Sequence, residues 1–173
     1  MNENSFIGYE YKDVTVRRDM EALYTDSFPS FGWQPEGRMA SLSPGTAVTL
    51  KFKRNRRIAN KAELTRLQRE FERHISEIEK LEDSKMIMPS AAAYSVGIIG
   101  TALMAGSVFA VTAAHPIVPL CIVLAIPGFI GWVIPYFLFN RMKQKRTSEA
   151  MPLIDSKYDA IYEICDKACR LSA

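Results

Sequence analysis

The sequence predicts an α+β membrane protein: a two-span transmembrane helical hairpin carrying a small N-terminal β-α-β-β cytoplasmic unit and a cytoplasmic helix pair. Three observations predict it. Met86 to Asn140 is a run of 55 residues without a single Asp, Glu, Lys or Arg, while all 41 such residues lie outside it. Residues 9–53 alternate between β-rich and helical patterns. Heptad-like spacing then appears on both sides of the apolar run. The mean hydropathy of −0.04 averages these unlike parts and describes neither.

A bilayer core takes about 20 apolar residues per helix. The run therefore holds two spans, read as residues 89–114 and 118–139, with His115, Pro116 and Pro119 grouped at the turn. A soluble hairpin buried in a compact domain would need the remaining 118 residues to cover both helices on every side. Lys and Arg set orientation. Arg69, Arg73, Lys80 and Lys85 precede the first span, Arg141, Lys143, Lys145 and Arg146 follow the second, and the turn carries none. Both termini are expected in the cytoplasm of a multi-pass cell-membrane protein.

In chain order, "YEYKDVTV" (9–16) reads as a strand. Its apolar positions change parity near Asp13, from Tyr9 and Tyr11 to Val14 and Val16, which predicts a bulge or a two-sided strand. Met20, Leu23, Tyr24 and Phe28 stand at helical spacing, and Gly32 is placed to end the helix. A weaker strand over 33–40, with Pro35 and Gly37, fits a sheet edge. After the turn cluster "SLSPGT" (41–46), "AVTLKFK" (47–53) points Val48, Leu50 and Phe52 inward and Thr49, Lys51 and Lys53 outward. The last two strands are expected to pair as a hairpin.

The motifs "YEYK", "FGW" and "FKR" together resemble a family of small bacterial β-α-β-β domains of unknown function, defined by an E-Y-K strand, a G-W turn and a closing F-K-R strand. The resemblance covers residues 9–54, leaves out the membrane hairpin, and implies a fold but no activity and no site residues.

From residue 59 to 88 a long charged helix is expected. Leu64, Leu67, Phe71, His74, Ile78, Leu81 and Lys85 form its heptad seam, with Asn60 and Glu63 as a capping box. Residues 140–173 begin as a basic juxtamembrane segment. Pro152 is expected to break it before a final helix with Ile154, Tyr158, Ile161, Cys165 and Ala168 on one face. The two heptad helices are expected to pair within the chain, with a homodimer through the long helix as the competing arrangement.

Candidate functional residues fall into three groups. Small-residue rows in the first span, Ala93–Gly97–Thr101 and Ala102–Gly106–Ala110–Ala114, permit close helix approach. One row is expected to meet the second span and the other a partner. Basic clusters Lys51, Lys53, Arg54, Arg56, Arg57 and Arg141, Lys143, Lys145, Arg146 suit anionic lipid headgroups. Trp132 and Tyr136 suit the interfacial aromatic belt. His74, Cys165 and Cys169 could approach one another, but no fourth zinc ligand is evident, and His115 at a turn needs no special role.

No catalytic triad, nucleotide fingerprint or carboxylate pair stands out. A net charge of +3 gives no broad field for nucleic acid. The expectation is a non-catalytic interaction, regulatory or accessory subunit without cofactor or metal. Its partners would be membrane lipids and a second copy or another membrane protein. An oligomeric channel or transporter component and an anionic-lipid surface sensor are the alternatives.

Overall fold

The computed structural model describes residues 7–40, 47–112 and 118–172, and the chain forms two compact units. The first comprises Met1–Ser76 with Lys157–Ala173, the second Glu77–Ser156. The expected turn around His115 and Pro116, the "SLSPGT" turn and the site candidate Ala114 lie outside the described residues.

In the first unit, strand β1 (Tyr9–Arg17), helix α1 (Glu21–Ser27), strand β2 (Trp33–Ala40) and strand β3 (Ala47–Asn55) follow in sequence, with short 3-10 turns flanking α1. They build an antiparallel sheet of order β1-β3-β2. The β-α-β-β order and the closing hairpin hold. Gly32 caps the turn after α1 at φ 81°; a Cβ there would meet Ile58 Cδ1, so geometry and space both require glycine.

β3 is the central strand, and Val48, Leu50 and Phe52 are buried on its inner face as expected. The same parity carries Arg54 inward. Of the two readings of β1 the bulge is absent, its pairing with β3 being unbroken from Tyr9↔Asn55 to Arg17↔Ala47, and the two-sided strand holds. Its inward residues are Glu10, Lys12, Val14 and Val16, while Tyr9 and Tyr11 face out. The parity change arises because charged side chains occupy two inward positions. The sheet's register shift lies instead in β2, between Pro35 and Gly37, where proline cannot donate to the ladder.

An aromatic cluster fills the space under the sheet. The Phe28 ring sits 4.4 Å from Phe52, 5.3 Å from Tyr24 and 6.1 Å from Phe71, and Phe31 lies 5.4 Å from Phe71. Each such pair contributes about 0.5–1.5 kcal/mol beyond the area it buries.

Helices α2 (Lys61–Thr112) and α3 (Val118–Ser172) supply the rest. The expected seam of α2 is buried at Leu64, Leu67, Phe71, His74 and Ile78, with Gln68 and Ile75 added and Leu81 and Lys85 half-buried. The charged helix over 59–88, with no Gly or Pro to stop it before Pro89, runs on into the first apolar span as one helix with Pro89 inside it. Pro152 likewise lies within α3 and does not break it. A proline removes one backbone donor and strains a turn, and neighbouring turns sustain the helix.

In the final part of α3, Ile161, Ile164 and Ala168 are buried and close the first unit's core, while Tyr158 and Cys165 are half-buried. The expected capping box does not form. Asn60 adopts φ 53° and donates its side-chain amide to the Leu171 carbonyl at 3.2 Å, and Glu63 pairs with Arg66. The bond ties the start of α2 to the end of α3 inside one chain.

Candidate functional site

Two constellations stand out, one in each unit. In the first, the inner face of the sheet ends in charge. Arg54, 4% exposed, donates through Nε to Glu10 at 2.6 Å and through Nη1 to the Phe31 carbonyl at 3.4 Å, and stacks 4.3 Å from the Trp33 ring centre. Lys61 reaches the other Glu10 oxygen at 2.6 Å. Beside this triad, the Trp33 indole N–H donates to Gln68 (2.9 Å), Gln68 donates to Glu72 (2.9 Å), and Lys12 donates to the same Glu72 oxygen (2.7 Å). Partial burial works to raise the Glu10 pKa, but the hydrogen bonds and charges of Lys61 and Arg54 outweigh it and hold the carboxyl below its ordinary value.

This geometry revises the basic cluster read at 51–57. Arg54 is buried and ion-paired and presents nothing to a lipid surface. Lys53 lies 3.2 Å from Glu36 and 5.7 Å from the Tyr9 ring centre. Lys51 is half-buried on the outer face, and Arg56 and Arg57 are exposed beyond the strand.

In the second unit, Arg141, Lys143, Lys145 and Arg146 are exposed on α3. Lys143 sits 5.9 Å from the Phe139 ring centre, and Lys145 lies 3.9 Å from Glu149.

The apolar helices of the second unit meet through glycine, but not along the expected rows. A Cβ on Gly131 would stand 2.8 Å from the Gly100 Cα, and one on Gly128 would stand 2.7 Å from Met104 Cγ. Next to this crossing, Ser107 donates to the Cys121 carbonyl at 3.1 Å, and the Trp132 indole donates to Thr101 Oγ1 at 3.3 Å.

Of the first expected row, Ala93 is half-buried, Gly97 has open space before it, and exposed Thr101 donates to the Gly97 carbonyl at 3.0 Å while accepting from Trp132. Of the second, Ala102 is exposed, Ala110 half-buried, and Gly106 would make an ordinary contact with Leu124. The packing face is thus Gly100, Met104 and Ser107 against Cys121, Gly128 and Gly131. Its signal was the Gly128/Gly131 pair, spaced by three rather than four, facing a lone glycine.

Both helices are long and apolar enough to cross a membrane. Only 11% and 6% of their most apolar 18-residue stretches is buried. Phe109, Tyr94, Ile98 and Val123 are 75%, 73%, 69% and 66% exposed, and Trp132 and Tyr136 are exposed as well. The chain itself does not cover this hairpin, unlike the buried hairpin of a soluble domain.

Cys165 is half-buried, its pKa raised by burial against a hydrogen bond with Ser27, while Cys169 is exposed. Among the described residues, no group of three or more His, Cys, Asp or Glu is arranged to hold a metal ion. No protein-family model, curated protein or solved structure matches the chain.

Proposed function

We propose that the chain is a two-span membrane protein whose hairpin anchors a cytoplasmic, non-catalytic interaction module of an accessory or regulatory kind. The observation that carries this reading is the uncovered apolar surface of the second unit beside a first unit whose charged groups pair with one another. Contiguous exposed apolar area on this scale marks a membrane or partner surface. Glu10, Arg54 and Lys61 satisfy each other, as do Lys12, Gln68 and Glu72, which suits a fixed scaffold better than a proton-transfer site. The Lys and Arg residues before Met86 and after Asn140 support cytoplasmic termini.

The test has two parts. After alkaline carbonate washing the chain is expected to stay in the membrane pellet. Exposed Cys169 should react with an impermeant maleimide only after the cells are opened. Purification in mild detergent is then expected to recover a stoichiometric partner or a defined homo-oligomer. Release by carbonate would overturn the membrane reading, and a strictly monomeric, partnerless chain would overturn the interaction reading.

A further inference from the structure

The two edges of the sheet are not alike. β2 is interrupted by Pro35 and the register shift before Gly37, features that blunt an edge against further pairing. β1 is nine residues long, unbroken, and without proline or glycine. The Arg56 N–H donates to the Gly8 carbonyl at 3.0 Å, so residues of even number in β1 direct their backbone groups to β3. Tyr9, Tyr11, Asp13 and Thr15 therefore direct theirs outward, and no described strand lies there.

Large apolar side chains gather at the same edge. Among the described residues of the first unit the exposed ones are Ile7, Tyr9, Tyr11, Met39 and Tyr162, and three of these five stand along or just before β1. Glu10 and Lys12, inward charges of the kind that guard an edge, are already engaged with Arg54, Lys61 and Glu72.

We infer that β1 is a docking edge for a second copy of this chain, the two β1 strands pairing antiparallel about a two-fold axis into one six-stranded sheet. The inference rests on the reading of the first unit as an interaction module, and it names the surface and the occupant. Registers that pair at least seven of the nine β1 residues with a second copy put the two-fold axis at Lys12, Asp13 or Val14, and charge decides among them. An axis at Asp13 sets two carboxylates face to face, and one at Lys12 sets two ammonium groups face to face, both unfavourable. An axis at Val14 opposes Val14 to Val14. It also sets Asp13 opposite the partner's Thr15, Lys12 opposite the partner's Val16, and Tyr11 opposite the partner's Arg17. No like charges meet, a β-branched pair sits at the centre, and a guanidinium lies beside an aromatic ring. Odd-numbered residues then exchange the backbone hydrogen bonds, as the free edge requires. A strand of mixed sign is self-complementary in this register alone among the three.

The test uses the full chain in detergent micelles with Cys121, Cys165 and Cys169 replaced by Ser. Asp13→Cys and Thr15→Cys chains are mixed and mildly oxidised. Directly opposed strand residues lie within disulfide reach, so the mixed disulfide is expected several-fold above either homodimer. Tyr11→Lys places like charges opposite each other and is expected to cut the yield about fivefold, with Arg17→Glu in the same chain restoring it. Tyr11 is 67% exposed, so an unchanged circular dichroism spectrum separates this effect from misfolding. A monomer, equal mixed and homotypic yields, or a yield indifferent to Tyr11→Lys overturns the inference. Carbonate retention and partner recovery are read on the unmodified chain, so their failure is seen separately.

Discussion

Arg54 shows how a single residue can look like surface chemistry and be core. The sequence "KFKRNRR" advertises five basic side chains in seven, yet the strand parity that buries Phe52 also buries Arg54 two positions later. What parity could not reveal was the carboxylate opposite: Glu10 is the β1 partner of Arg54 in register, and register is a long-range fact. Glu10→Ala leaves a buried guanidinium without its carboxylate. It should cost about 3 kcal/mol, at the lower end of such losses because Glu10 keeps a quarter of its side-chain exposure. Urea unfolding in detergent measures it. Pairing Glu10→Gln with Arg54→Met should recover most of that loss, since apolar replacement of both partners is often neutral.

The same pair sets a pH dependence. The folded-state pKa of Glu10 lies below its ordinary value of 4.5, so its stabilising contribution is fully present above that value. It is lost as the pH falls through the lower folded value. Melting measured from pH 6 downward should therefore steepen below about 4.5 in the native chain, and less so in Glu10→Gln. At the other end of the module, burial keeps the Cys165 thiol protonated, so iodoacetamide should alkylate Cys169 well before Cys165, as peptide mapping would show.

Among the elements, strands and helices were largely legible because their periods are local. The β3 alternation, the α2 seam and the Gly32 stop all follow from spacing within a few residues. Three features were not. The Pro152 break failed because proline ends a helix only where nothing sustains its neighbours. The capping box failed because Asn60 adopts a left-handed φ of 53° and turns its side-chain amide to the Leu171 carbonyl, 111 positions away. The small-residue rows are used only in part, Gly106 meeting Leu124 while Gly97 faces open space, because any helix rich in Ala and Gly offers several rows and only the partner helix decides among them.

That choice can be tested by crosslinking. Ser107 Oγ lies 3.1 Å from Cys121 Sγ, so Ser107→Cys should form a disulfide with Cys121. Adding Gly131→Leu, whose Cβ would stand 2.8 Å from Gly100 Cα, should abolish it, whereas Gly97→Leu enters open space and should leave it intact. Equal effects of the two leucines would remove the glycine crossing as the packing point.

For the whole molecule, the division into two units with unlike cores predicts two separable stabilities. Trp33 reports the first, buried at 5% exposure against Arg54, and Trp132 the second. In detergent, urea should shift Trp33 emission in a Trp132→Phe chain at concentrations that leave much of the helical signal in place. The hairpin's backbone bonds are satisfied internally and its apolar surface stays in the micelle. A single coincident transition would contradict this. Layout on this scale was the most legible property of all, because 55 residues without charge can be read without any pairing. Residues 157–172 join the first unit, the simpler of the two arrangements the heptad spacing allowed.

That closure bears on biogenesis. The core of the first unit needs Ile161, Ile164 and Ala168, which leave the ribosome after both apolar helices. At a synthesis rate of about 5–20 residues per second, the sheet waits several seconds or more beyond β3 with part of its core uncovered. On the two-span reading proposed above, the hairpin is offered to the insertion machinery while the module is still open. On that reading, membrane insertion and module folding are ordered in time by the position of one helix in the gene.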